Sequence, residues 1–157
     1  LRVAGAFAVL LAAWPLLSAE PDARVAHVAR LYRDFAWEVV VARPVAAGFM
    51  DQPRAVLERY LTPELAGLVL EDRACAVRTR EVCRIEAAPL WGSSDPGATD
   101  LEVTAAGGND VLVRFTYPGT DRKIALIHHL APAGNRWRID DIRQGSWSLK
   151  ASLRRPM

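Results

Sequence analysis

The sequence predicts an α+β domain in which helices come first, a curved antiparallel meander of four or more strands follows, and a short helix closes the chain. Three observations carry this. Apolar residues recur at spacings of three and four through the first half of the chain. After Ile85 the punctuation WGSSDPGATD appears and the apolar spacing changes to two. Nowhere do helical and strand patterns alternate in the βαβ manner that builds a parallel sheet.

From Pro21 to Arg43, Val25, Val28, Tyr32, Phe35 and Val39 form one apolar stripe, widened by Ala29, Ala36 and Val40, which predicts a single amphipathic helix ended by Pro44 and Gly48. Gln52-Pro53 opens a shorter helical piece carrying Val56, Leu57, Tyr60 and Leu61. Thr62-Pro63-Glu64 starts another, with Thr62 as N-cap and Leu65, Leu68, Val69 and Asp72 along one side. Strands are predicted at Leu101 to Ala105, Val111 to Tyr117, Lys123 to Leu130 and Arg136 to Ile142. Gly107-Gly108-Asn109-Asp110, Pro118-Gly119-Thr120-Asp121 and Pro132-Ala133-Gly134-Asn135 supply the turns between them. A last helix, Ser146 to Leu153, is N-capped by Ser146 and places Leu149 and Leu153 on one face.

Residues 1–19, LRVAGAFAVLLAAWPLLSA, read as a secretory signal peptide: Arg2 is the cation, Val3 to Leu17 the apolar run, and Leu17-Ser18-Ala19 the cleavage region before Glu20. The run is short for a span of about 20 residues, and no Cys follows that could be acylated. Export to the periplasm or beyond is therefore expected, without a stable membrane anchor, with residues 20–157 forming one domain.

Cys75 and Cys83 are the only cysteines, and an even count in an oxidising compartment favours a disulfide. On one continuous helix they would stand about 12 Å apart along the axis, whereas a bridge needs Cα atoms within about 7 Å. The helix begun at Pro63 must therefore break before Cys83. So short a closed loop stabilises by about 3 kcal/mol or less.

The 20 basic and 18 acidic residues nearly balance. All the basic residues except Lys123 and Lys150 are Arg, a bias that a GC-rich genome produces, so composition does not argue for phosphate binding. No basic stripe with interleaved aromatics points to nucleic acid.

The segments LYRDFAWEVV, RYLTPELAGLV and NRWRIDDIRQGSWSLKASLRR resemble the exported bacterial domain-of-unknown-function 3828 family, which is similar to the nuclear transport factor two (cystatin-like) superfamily. The resemblance covers most of residues 20–157 and implies that helices wrap into the mouth of a bent sheet to make a cone. It further implies homodimerisation through an open sheet face, and a cone interior where such folds place a carboxylate or His as general base.

His128 and His129 are adjacent in a strand, point to opposite faces and cannot share a metal without distorting it; His128, in register with Ile124 and Leu126, is expected inward, and the roles swap if the face of His129, Ala125 and Ile127 is the helix side. Inward alternation of Trp137 and Ile139 carries Asp141 to the same side, while Ile142 breaks the alternation and predicts a bulge or the strand's end. Tyr117, His128, Trp137 and Asp141 are thus the pocket candidates, and Asp141 with His128 is the one candidate acid/base couple. The competing readings are a satisfied core His and a solvated or turn-capping Asp, neither needed by the fold. Trp37, Trp91, Trp137 and Trp147 read as core and rim packing, with Phe35 and Trp137 as core anchors. Arg73, Arg78, Arg80 and Arg84 around the cysteine loop are a candidate docking patch for an anion or acidic protein, or a solvated face.

No phosphate loop, zinc-spaced cluster, nucleophile elbow or calcium loop is present, and no cofactor or metal is expected. The leading expectation is an exported, non-enzymatic module that binds an envelope protein or a small apolar ligand. Its rival is an isomerase- or hydrolase-like pocket using Asp141 and His128.

Overall fold

The computed structural model describes residues 22–40 and 48–156; the leader read at residues 1–19 and the end of the first predicted helix lie outside the described residues. Helix α1 (Ala23–Asp34) begins where the Asp22 carboxylate accepts from the Arg24 amide at 2.9 Å, and it buries His27, Val28, Leu31 and Tyr32.

The single helix predicted from Pro21 to Arg43 is instead interrupted after Asp34 and resumes as α2 (Trp37–Val40). Across the break the amides of Ala36, Glu38 and Val39 bond three residues back rather than four. The turn tightens because Phe35 is drawn inward, its ring edge-on to Phe49 at 4.9 Å and to Tyr60 at 6.1 Å. A spacing of three suits both kinds of turn, so the apolar stripe continues across the break.

A 3₁₀ turn (Phe49–Asp51) that the sequence pattern does not reveal precedes α3 (Arg54–Leu57). Helix α4 (Pro63–Thr79) starts as expected, with Thr62 Oγ1 accepting from the Leu65 amide at 3.3 Å. It stops at Arg80, whose φ of 62° is left-handed. That reversal brings Cys75 and Cys83 to a Cα separation of 6.2 Å, and they form a disulfide.

Five strands follow in one antiparallel sheet with the order β1-β2-β3-β4-β5: β1 (Thr99–Gly107), β2 (Asp110–Thr116), β3 (Lys123–Ala133), β4 (Arg136–Gln144) and β5 (Trp147–Ser148). The glycine-rich tip of the first hairpin is used as predicted, with Gly108 at φ +52°. The last predicted helix is shortened to α5 (Leu149–Leu153), because Trp147 and Ser148 pair with Gln144 and Arg143 as a fifth strand. Its cap is therefore Ser148, whose hydroxyl accepts from the Ala151 amide at 3.0 Å, and not Ser146.

Val111, Val113, Phe115, Ile124, Leu126, His128, Leu130, Ile139 and Ile142 share the buried face of the sheet. Helix α1 lies against β1, β2 and β4, while α4 and α5 pack on each other and on β4. The other face carries charged pairs such as Arg114 with Glu102 at 3.2 Å.

The bulge anticipated at Ile142 is present. Ile139 pairs with Leu130 and Asp141 with His129, which leaves Asp140 as the extra residue and lets both Ile139 and Ile142 face inward. Beside it, Ile139 donates to the Tyr60 carbonyl at 2.8 Å and accepts from the Thr62 amide at 2.9 Å, so the approach to α4 is stitched to the sheet.

Phe35 is 7% exposed and fully engaged in the aromatic cluster, so Phe35→Ala should lower stability by about 3–5 kcal/mol in urea melts. Trp137 is not the core anchor expected of it: it is half-buried at the core's margin under the Arg24 guanidinium. Trp137→Ala should cost clearly less than Phe35→Ala, and equal costs would contradict this packing.

Candidate functional site

The four predicted pocket residues are not brought together. Tyr117 sits at the β2–β3 turn, its hydroxyl donating to Asp95 at 2.9 Å and its ring under Arg122. Trp137 is at the opposite end of the sheet, near the start of β4. His128 pairs with Ile142 and Asp141 with His129, so His128 and Asp141 occupy opposite faces and form no acid/base couple.

Each has a structural task. Asp141 accepts from the Ser148 hydroxyl at 2.8 Å and from the Lys150 amide at 2.9 Å, which fixes the first turn of α5. Its neighbour Asp140 accepts from Thr62 Oγ1 at 3.1 Å and from Lys150 Nζ at 2.9 Å. Lys150 also reaches Glu64 at 2.8 Å, and Glu64 is bonded to Arg154. Burial opposes the charge on Lys150, but its bonds to Glu64 and Asp140 outweigh that and raise its pKa. The bulge therefore turns a pair of aspartates into a clamp joining α4 and α5 to the sheet.

His128 is completely buried. Tyr32 donates its hydroxyl proton to the Leu90 carbonyl at 2.8 Å, so the 3.3 Å contact with His128 Nε2 requires the ring to donate to the Tyr32 oxygen. The ring is then the neutral Nε2–H tautomer, and Nδ1, which has no hydrogen-bond partner among the described residues, carries only a lone pair. Burial pushes the His128 pKa down to about 3. Around it Tyr32 meets Trp91 edge-on at 5.2 Å, and Trp91 meets Phe115 at 5.9 Å.

Sequence reasoning missed the residue that organises the adjoining surface, Glu38. Its Oε2 accepts from Trp91 Nε1 at 2.6 Å and its Oε1 from the Phe49 amide, tying α2, the 3₁₀ turn and the segment before β1 together. A lone Glu on a four-residue helix gives no pattern by which it could be found. Beside it lies an apolar pocket of about 280 Å³, walled by Trp37, Phe49, Met50, Ile85, Leu90 and Pro96. Of the arginines near the disulfide, Arg73 donates to the Gln52 carbonyl at 2.7 Å and Arg84 to that of Arg155 at 2.8 Å, while Arg78 and Arg80 are exposed. Among the described residues no group of three or more His, Cys, Asp or Glu side chains could hold a metal, and no helix is long and apolar enough to cross a membrane.

Two expectations follow for His128 and Asp141, both contrary to the view that the fold does not need them. The folded pKa of His128 lies below its ordinary 6.5, so the unfolded chain takes up its proton first as pH falls. Stability should be fully present above about pH 6.5 and decline toward the folded pKa of about 3, by at most about 1.4 kcal/mol per pH unit from this group. Urea melts between pH 6.5 and 5.5, above the ordinary Glu value of 4.5, should show this slope, and it should shrink in His128→Gln. Asp141→Ala should cost about 1–2 kcal/mol through loss of the cap; a neutral effect would mean that Asp141 is not structural.

No protein-family model, curated protein or solved structure matches this chain.

Proposed function

We propose that this chain is an exported, non-enzymatic binding module of the cell envelope whose apolar pocket receives a small apolar ligand or an apolar side chain of a partner protein. The observation that carries the reading is the character of that pocket. Its walls are mostly apolar; of the two carboxylates that line it, Asp51 is exposed at the surface, and Glu38 has both oxygens committed to Trp91 and Phe49. A group so committed is a poor proton carrier and a good girder. The enzyme reading needs His128 and Asp141 to converge, and their places on opposite faces weigh against it.

The disulfide supports the exported half of the proposal, together with the leader-like residues 1–19. The order of elements, helices followed by a meander with α1 laid across the strands, supports the likeness to the nuclear transport factor two superfamily and its cone. Likeness of fold does not carry activity, so the reading rests on the pocket.

The test uses the neutral fluorescent probe phenylnaphthylamine. The protein should enhance and blue-shift its emission, and Ala88→Phe, which fills the pocket from one wall, should abolish the effect while leaving the thermal melt unchanged. Equal probe binding by a folded Ala88→Phe variant would overturn the assignment of this pocket.

A further inference from the structure

At the other end of the sheet two adjoining cavities of about 470 and 370 Å³ share Arg30, Arg136 and Arg138. Arg59 lines the second of them. Three separate parts of the chain thus converge: Arg30 from α1, Arg59 from the turn after α3, and Arg136 with Arg138 from the start of β4. None of the four guanidinium groups makes an ion pair with a carboxylate among the described residues. The carboxylate that does line the cleft, Asp34, accepts from the Tyr60 hydroxyl at 2.5 Å and lies 3.5 Å from Arg33, an arginine outside the set.

The cluster is built rather than merely crowded. Arg138 is half-buried and is held in place by donating Nε to the Glu58 carbonyl at 2.8 Å and Nη1 to the Trp137 carbonyl at 2.9 Å, which leaves Nη2 uncommitted among the described residues. Arg30 is steadied over the Tyr60 ring at 5.9 Å, and its Nη2 donates to His27 Nδ1 at 3.4 Å. His27, 6% exposed, uses its other nitrogen to donate to the Tyr60 carbonyl at 3.0 Å, so it is a neutral ring that adds no charge of its own. Burial first, then the charges of Arg136 and Arg30, pull the Arg138 guanidinium below its ordinary pKa. Four like charges that share a cleft with one carboxylate, Asp34, repel one another, and an oxyanion placed among them removes that repulsion while accepting charge-assisted bonds.

We propose that this cleft is a binding site for a small molecule carrying two or more oxyanion groups, phosphate or carboxylate, with Arg30, Arg59, Arg136 and Arg138 as its donors. Planar guanidinium forks suit both kinds of oxyanion, and two joined cavities exceed what one anionic group fills. The half-buried Trp137 lines the first cavity and supplies an apolar wall for the body of the ligand. The site is separate in position and polarity from the apolar pocket beside Glu38 and does not depend on that pocket's assignment.

Calorimetric titration at about 0.15 M salt, where weak surface attraction is screened, tests the proposal with pyrophosphate and with citrate as probes. At least one of the two should bind with Kd below about 1 mM, and the stronger one identifies the phosphate or the carboxylate source. The double variant Arg59→Gln/Arg136→Gln, at two exposed positions, should weaken binding at least about tenfold with an unchanged thermal melt, whereas Arg78→Gln, exposed near the end of α4, should not. Phenylnaphthylamine binding should be unaffected by either anion, which separates failure of this site from failure of the apolar pocket. Absence of binding by both probes, or equal weakening by Arg78→Gln, would overturn the proposal.

Discussion

The arrangement depends on one extra residue in β4. Without the bulge at Asp140, strict alternation would place Ile139 and Ile142 on opposite faces, and one of them would leave the core. With it both isoleucines are buried, and the two aspartates are presented to the elements that cover the sheet. Asp140 reaches the cap of α4 and the side chain of Lys150, while Asp141 caps α5. A pair of carboxylates next to a strand histidine resembles catalytic machinery in one dimension. In three dimensions it is a joint.

The same division of labour governs the interior. The space between α1 and the sheet is filled by Tyr32, Trp91, Phe115 and His128, packed edge to face. His128 is held there as a neutral ring through its hydrogen bond with Tyr32, and a proton on it would be a buried charge with no counter-ion in contact among the described residues. What remains open lies at the margins: an apolar pocket braced by Glu38 and a basic cleft braced by Arg138. In both, a committed polar group holds the wall while its neighbours stay free, as sites for binding require.

Much of the fold was legible in the sequence because its signals are local. Thr62-Pro63 starts α4, the disulfide forces a stop before Cys83, the Gly107-Gly108 turn sets a hairpin, and the broken alternation at Ile142 marks the bulge. The break after Asp34 was hidden because the tightened turn preserves a spacing of three, and β5 because two residues are too few to show a period. The sites were less legible for a related reason. Glu38 acts through partners 11 and 53 residues away, and the arginine cleft is assembled from three distant segments. An arginine-rich composition masks such a cluster, since every segment contributes arginines whether or not they converge.

The central claim is that His128 and Asp141 are structural groups that do not exchange a proton with each other or with a ligand. Nuclear magnetic resonance titration of the His128 ring tests it directly. The His128 ring should stay a neutral Nε2–H tautomer with flat shifts from about pH 8 to 5. A His128 that titrates near its ordinary 6.5 would contradict the account and return that ring to the candidate proton carriers.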